Sequence, residues 1–469
     1  MSKLSFAAGF AAGKLERDAL RALGRRGSQA PGWRAVWFCK EFIGRIDKPG
    51  RIICVTGTNG KTTTCNLIED SLRALGTRLL DNSFGSNTRA GVASALIAGT
   101  NAFNKCSYDT AVFEVDERSS PHIYPYMTPQ YLVVTNLFRD SIKRNANPDF
   151  IKMIIESKLP KETTLVLNAD DLISSSLAPD NPRVYYSVAP LPGESAEENI
   201  INDARRCPVC GARMEYEFRR YHHIGRARCP KCGLNSPEPD YRTVAVDTEK
   251  NTLTLEVKGR PAAAEDGGER TLIELPLINP KITNIYNETA TAALLLEMGY
   301  TPDAIREVFS KVQVTTTRYD SVEAGGVKIE SYMFKGENPV AGSRLCSIIG
   351  KESGAMGLLF TVDDLYTARD GIENVSWYYE LDFELLRNAD VKRIYLGGKR
   401  ADDLKLRLLL AGFPEEMLVT FSDEEKAAEV VDLTGLERFI LLFDLTRHDQ
   451  AEATRDKLAA RARSAARTD

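Results

Sequence analysis

Histidine is scarce in this chain: four occur in 469 residues. Cys39, Cys54, Cys65, Cys106 and Cys346 stand in ordinary contexts, so the sequence offers no convincing Cys–His nucleophile pair. Long apolar runs are missing too. Phe6–Ala12 is the one apolar opening, far shorter than the roughly 20 residues that span a bilayer. It carries no convincing signal-peptide cleavage pattern, so the expected location is the cytoplasm. Nor is there an excess of positive charge. Lys and Arg total 61 against 65 Asp and Glu, a net charge of −4 that argues against a general binder of nucleic acid or membrane. The first 45 residues are the local exception, with Lys14, Arg17, Arg21, Arg25, Arg26 and Arg34. They read as a basic helical segment with a solvated face and at most peripheral contact with anionic lipid.

Hydrophobic content of 43% and charged content of 27% suit a globular chain, and the length suffices for two or three domains with cores of their own. Strand-like runs at Arg51–Thr56, Thr110–Asp116, Tyr131–Thr135 and Thr164–Leu167 alternate with helical stretches, the rhythm of a parallel α/β sheet. Residues 203–240 break that rhythm and read as an insertion. Strands resume around Tyr241–Val257, a Gly/Glu-rich turn at Ala264–Gly268 precedes another, and helices are expected at Glu288–Met298 and Pro302–Val312. A second α/β unit follows, with strands near Val327–Met333, Met356–Thr361, Arg393–Leu396 and Arg438–Leu445 and a helix at Asp402–Ala411. The expected division is a helical segment over 1–49, a nucleotide-binding domain over 50–313, an α/β domain over 314–451 and a fraying helical tail over 452–469.

The run Arg51 to Thr64 carries the clearest chemistry. A short β-branched strand leads into Gly57-Thr-Asn-Gly-Lys-Thr62, and Leu67, Ile68, Leu72 and Leu75 then recur at helical spacing until Gly76. A glycine turn feeding a helix N-terminus gathers backbone N–H groups around phosphate oxygens. Lys61 adds a point charge for the outer phosphates, and the Thr62 hydroxyl can ligate Mg²⁺. The pattern predicts a nucleoside triphosphate held by Gly57, Thr58, Asn59, Gly60, Lys61, Thr62 and Thr63. Glu114 and Asp116 end the next strand-like run on one side, where a carboxylate can hold Mg²⁺, whereas Glu117 reads as a surface acid. Asn136 and Asn168-Ala-Asp-Asp171 end two further runs at the same edge.

Cys207-Pro-Val-Cys210 and Cys229-Pro-Lys-Cys232 are two knuckles, each followed by glycine. Together they predict a closed Cys₄ site for a structural Zn²⁺ that staples an insertion lacking its own core. His222 and His223 lie between the knuckles and read as surface residues. Arg219, Arg220, Arg226 and Arg228 keep a nucleic-acid-binding ribbon open as an alternative.

Gly57-Thr-Asn-Gly-Lys-Thr62, Glu114-Val-Asp-Glu117, Thr135-Asn-Leu-Phe-Arg-Asp140, Asn168-Ala-Asp-Asp171 and Asn284-Ile-Tyr-Asn287 resemble the ATP-dependent Mur ligase family, which includes folylpolyglutamate synthase. The Cys₄ insertion is similar to that of its MurT branch. So are the C-terminal elements Asn338-Pro339, Asp363-Asp364, Val375-Ser-Trp377, Asp382-Phe-Glu384 and Gly398-Lys-Arg-Ala401 followed by Arg407-Leu-Leu-Leu-Ala-Gly412. The resemblance implies a Mur ligase-like parallel-sheet ATPase domain with an inserted zinc ribbon, plus a C-terminal Rossmann-like α/β domain. It implies that Lys61, Thr62 and Glu114 hold phosphates and Mg²⁺ and that Asn284 and Asn287 lie near the adenine. Arg318 falls where the family has an arginine in Gly-Arg-x-Glu, here Thr317-Arg-Tyr-Asp320. Lys335-Gly-Glu-Asn338-Pro339 and Asp370-Gly-Ile-Glu-Asn-Val-Ser-Trp377 depart from the family spacing, which obscures the role of Lys335.

The implied reaction amidates the α-carboxylate of D-glutamate in lipid II through an acyl phosphate. Ammonia would come from a separate GatD-like glutaminase forming a heterodimer, since this chain has no Cys–His pair. Asp364 or Asp370 would orient the partner's histidine; Asp364, closer to a strand end, is favoured. The rival readings are a stand-alone Mur or folylpolyglutamate-type amino-acid ligase and a zinc-ribbon nucleic-acid-binding ATPase. The composition favours neither nucleic acid nor a membrane span.

Overall fold

The computed structural model describes residues 3–25, 27–83, 86–140, 145, 147–192, 199–259, 270–312, 319–334, 337–363 and 374–466. The chain divides into two compact units. One comprises Met1–Phe138, Asn147–Glu197 and Asp203–Val314; the other comprises Arg139–Ala146, Glu198–Asn202 and Thr315–Asp469.

The first unit is built on a nine-stranded sheet. Its strands are β1 (Arg51–Thr56), β2 (Leu79–Asp81), β3 (Thr110–Glu114), β4 (Tyr131–Val134), β5 (Thr164–Asn168) and β6 (Arg183–Val188), then β9 (Tyr241–Asp247), β10 (Thr252–Lys258) and β11 (Arg270–Pro276). The order is β11-β10-β9-β6-β5-β4-β1-β3-β2. All pairs from β2 to β9 are parallel, and β10 and β11 extend the sheet antiparallel. In β1, Ile52 to Thr56 are buried without a break, as a parallel strand covered on both faces requires. The chain runs from β1 out to β2, returns through β3 and then crosses to β4 on β1's other side. The carboxyl ends of β1, β3 and β4 therefore meet where the winding reverses, the usual ligand crevice of such sheets.

The insertion forms the hairpin β7 (Glu215–Tyr221) and β8 (Ile224–Arg228), a two-stranded sheet of its own. The sequence reading missed both strands, along with the short β2 and the β6 run. It also started the following helix six residues late: the helix is Ile282–Glu297, with Ile285 to Leu296 buried at every position. A helix enclosed on all sides has no amphipathic period to mark where it begins. The expected turn at Ala264–Gly268 lies outside the described residues. At the N-terminus, helices Lys3–Ala22, Ala30–Phe38 and Phe42–Arg45 pack on this unit. Gly9 permits the first contact: a Cβ there would sit 2.8 Å from the Ala35 carbonyl oxygen.

The second unit holds β12 (Tyr319–Ala324), β13 (Val327–Met333), β14 (Met356–Thr361), β15 (Val391–Gly397), β16 (Leu418–Phe421) and β17 (Arg438–Phe443). Their order is β12-β13-β17-β14-β15-β16, parallel except for the β12–β13 hairpin. The expected helical tail is present as His448–Ala465, beginning four residues earlier than predicted and packed rather than frayed. Leu458, Ala459 and Ala462 bury its inner face in the same cluster as Ile329 and Phe439, and Ala451 is buried as well. Alanine builds most of that face, so composition alone reads as a solvated tail.

Candidate functional site

Residues 57–60 join β1 to the helix Lys61–Ala74. Gly57 and Gly60 have φ of +131° and +89°, and each is approached too closely for a side chain. A Cβ on Gly60 would lie 2.7 Å from Asn287 Oδ1. The turn is pinned from the end of β4. Thr58 N donates to the Asn136 carbonyl (2.8 Å), Asn59 N donates to Asn136 Oδ1 (3.0 Å), and Asn136 Nδ2 donates to the Asn59 carbonyl (3.0 Å). Phe138 N donates to Thr58 Oγ1 at 2.9 Å. So fixed, the turn presents the first-turn N–H groups of the helix, which have no intrahelical acceptors, to an anion.

Lys61 Nζ donates to Glu117 Oε1 at 2.9 Å and to the Gly57 carbonyl. Glu117 is buried, not on the surface as its position past the strand suggests, because Lys61 neutralises it. Burial alone would lower the Lys61 pKa, but Glu117 overrides it and holds the ammonium above its ordinary value. Glu114 faces Val55 in the β1–β3 register. Its carboxylate accepts from Thr62 Oγ1 (2.7 Å) and Asn87 Nδ2 (2.9 Å), while Asn82 bonds its backbone N–H and carbonyl. The expected pairing of Thr62 with Glu114 is thus present, in the donor arrangement a hard cation would use. A polar cavity of about 220 Å³ opens beside them, lined by Thr62, Glu114, Asn82, Asn87 and Glu69 among others. Sequence reasoning missed Asn82, Asn87 and Glu69. Glu69 reads as one turn of a helix face, yet it is 2% exposed and one of its oxygens lacks a hydrogen-bond partner. Burial, followed by the nearby Asp81, pushes its pKa up to about 8.

Asn284 and Asn287 lie in the first two turns of Ile282–Glu297, and Asn287 abuts Gly60. Asp170 and Asp171 do not face an open site. Asp170 Oδ2 accepts from Val188 N (3.0 Å) and Tyr286 Oη (2.7 Å), and Asp171 caps the helix Leu172–Ser175 while accepting from Leu137 N at 2.7 Å.

The four insertion thiols gather as expected. Cys207 Sγ–Cys232 Sγ is 3.5 Å and Cys210 Sγ–Cys229 Sγ is 3.4 Å, with all four within 4.8 Å of one another. Tetrahedral Zn–S bonds of about 2.3 Å would place sulfurs about 3.8 Å apart, so the set fits zinc with slight expansion. Gly211 and Gly233, at φ +72° and +78°, close the knuckles by donating to the Cys207 and Cys229 carbonyls. His222 and His223 are buried rather than exposed: the hairpin tip folds in against Phe138 and Asp171. Arg220 is buried as well, donating to the Val188 and Ala189 carbonyls and to Tyr286 Oη (2.5 Å). Arg226 pairs with Glu217 and Glu238, and Arg228 with Glu215. The basic ribbon surface expected of a nucleic-acid binder is therefore largely neutralised from within.

Asp364, Asp370, Arg318 and Lys335 lie outside the described residues. Around them, several singled-out residues have structural work. Asn338 caps the helix Pro339–Ile349, and Asp363 accepts from Lys399 N at 2.5 Å. Buried Arg407 donates to the Tyr378 and Leu381 carbonyls and to Glu384, tying the Trp377 and Phe383 segments together.

A glycine turn at the switch point of a parallel sheet, in a chain with a second parallel-sheet unit, is the α/β architecture of the Mur-type ligases. Residues 55–202 match the family model of the Mur ligase middle domain, and residues 336–446 match that of the MurT ligase C-terminal region. The chain belongs to the Mur ligase family. It is 29% identical over 424 residues to the MurT subunit of lipid II isoglutaminyl synthase (glutamine-hydrolyzing) of Staphylococcus aureus strain COL, covering 90% of this chain and 92% of that one. It is 28% identical over 428 residues to the same subunit of Streptococcus pneumoniae R6, covering 90% and 91%. In fold it is similar to a pseudomurein peptide ligase type C from Methanothermus fervidus (TM-score 0.64, 21% identity, 89% of this chain and 81% of that one). It is also similar to MurF from Acinetobacter baumannii (TM-score 0.58, 13% identity, 91% and 80%).

Proposed function

We propose that this chain is the synthetase subunit of a two-subunit amidotransferase that converts the D-glutamate α-carboxylate of lipid II to the amide. The observation that carries the reading is the joint presence of a Lys61–Thr62–Glu114 cradle and a MurT-like C-terminal region. The γ-phosphoryl group passes to a carboxylate oxygen, releasing ADP. Ammonia then forms the C–N bond as the C–O bond to phosphate breaks and a proton is lost. Lys61 and the first-turn N–H groups bind and orient the triphosphate, and Asn284 and Asn287 border the adenine. Arg318 is a further nucleotide-binding candidate. Thr62 and Glu114 would hold Mg²⁺, which supplies charge neutralisation on the transferring group. Cys207, Cys210, Cys229 and Cys232 would hold a structural zinc.

Ammonia is supplied by a glutaminase partner whose catalytic histidine is oriented by Asp364, with Asp370 the second candidate. The work would take place in the cytoplasm, at the membrane face that bears the lipid-linked acceptor. The test is amidation of lipid II with glutamine or ammonia, with and without a glutaminase subunit. Asp364→Asn should abolish the glutamine-driven reaction and spare the ammonia-driven one; equal loss of both would move Asp364 into the synthetase site. Addition of an amino acid instead of ammonia would favour the stand-alone ligase.

A further inference from the structure

The helices Lys3–Ala22 and Ala30–Phe38 have one face each that the rest of the unit leaves uncovered. On the first, Leu4, Ala8, Ala11, Leu15, Ala19 and Ala22 recur at helical spacing, and all are exposed. Leu4 and Leu15 are 79% and 72% accessible. This helix is not a free amphipathic segment waiting to fold back. Its other side is occupied, with Phe6 against Phe42 and Gly9 and Gly13 close against Ala35 and Pro31. On the second helix, Trp33 and Trp37 are one turn apart, 64% and 68% exposed, opposite buried Ala35. Glu16 of the first helix lines one groove with Trp33, Arg34 and Trp37 of the second, and Arg34 pairs with Glu16 there at 3.1 Å. Exposed tryptophans and leucines grouped in this way mark a docking surface rather than scattered surface residues.

Charge selects the occupant. Residues 1–45 contain nine Lys and Arg against three Asp and Glu, in a chain whose net charge is −4. Lys14 and Arg17 are spent on the carbonyls of Ile97, Lys14 also on that of Thr100, but Lys3, Arg21, Arg25 and Lys40 remain exposed on the same segment. Exposed indole rings on a basic segment suit the headgroup region of an anionic bilayer, where the ring enters the interface and the cations meet phosphate. Among the described residues no helix is long and apolar enough to cross a membrane. We propose that this basic N-terminal segment docks the protein peripherally on an anionic phospholipid surface, with Trp33 and Trp37 as the inserted groups. The inference deepens the reading of a lipid-linked acceptor, but the test below needs no acceptor, so either can fail without the other.

The chain has three tryptophans, and the third, Trp377, is buried. Intrinsic emission therefore reports chiefly on the proposed face. Full-length protein should co-sediment with phosphatidylglycerol-containing vesicles and not with phosphatidylcholine alone, its emission shifting to the blue, and salt should release it. The double variant Trp33→Ser/Trp37→Ser should keep the wild-type melting temperature. It should bind the anionic vesicles about tenfold or more weakly, and Arg21→Glu/Arg25→Glu should weaken binding without altering emission in buffer. Equal binding to both vesicle types, or binding that the tryptophan variant leaves unchanged, would overturn the proposal. So would absence of vesicle binding together with a self-association that the same variant dissolves, which would make the face an interface between copies.

Discussion

His223 Nε2 lies 3.2 Å from Asp171 Oδ1, with both side chains fully buried. The contact joins the tip of the cysteine-bearing hairpin to the loop that steadies the nucleotide turn. Asp171 also holds Leu137 N, and the next residue, Phe138, bonds Thr58. A second strut runs from Arg220 through Tyr286 to Asp170, reaching the helix that carries Asn284 and Asn287. Burial by itself would push the Asp171 carboxyl up, yet His223 and backbone donors hold it below its ordinary value. His223→Ala should strand this carboxylate and cost about 3 kcal/mol of stability, read by urea unfolding. It should also weaken ATP binding by calorimetry at a temperature where the fold persists. Because the folded pKa is depressed, Asp171's contribution is present above the ordinary carboxylate value and lost as pH falls through the folded one. The deficit of the variant should therefore shrink in strong acid.

Lys61→Ala removes the cation proposed to meet the outer phosphates and at the same time uncovers buried Glu117. Turnover should fall at least about 100-fold, and the melting temperature should fall as well. Adding Glu117→Gln should restore most of the stability and none of the turnover. Recovery of activity in the double variant would show that the lysine serves the fold alone.

Glu69 has a folded pKa raised to about 8, above the ordinary 4.5. The folded chain then keeps a proton that the unfolded chain gives up, so stability falls as pH climbs from about 4.5 to about 8. Glu69→Gln should relieve this. Its melting temperature should exceed that of the wild type by several degrees at the top of that window and by much less at the bottom. A difference that does not vary with pH would mean the acid is ionised throughout.

Cys232 is the most exposed of the four thiols. Cys232→Ser should eject zinc, measured as metal content per chain, and open residues 203–240 to proteolysis, since the apolar cluster there is small: Leu172, Ala204, Met214 and Ala227 with Cys207 and Cys229. Because the hairpin braces Asp170 and Asp171, the variant should also bind ATP more weakly. A metal-free variant with unaltered nucleotide affinity would confine zinc to local folding.

The parts of this molecule that follow short-range rules were legible in the sequence. β1, β13 and β14 fall where the strand-like runs place them, and the glycine turn and cysteine knuckles need particular residues at particular spacing. What escaped depends on contacts remote in the chain. Glu117 and Glu69 look like surface acids until Lys61 and the cavity wall are brought beside them. His222 and His223 look superfluous next to four thiols, and only the inward fold of the hairpin shows their use. The edge strands β2 and β16 are three and four residues long, too short to show a period.

The helix Ile282–Glu297 has no wet side over twelve consecutive residues. A rod enclosed on every flank cannot roll without displacing its neighbours, so the gap between Asn287 and Gly60 is set by the interior and not by the arrival of a guest. On the proposed reading, in which Asn287 borders the base, discrimination among purines would come from a preset mould, and substitutions deep in the interior, far from solvent, would be the ones to blur it.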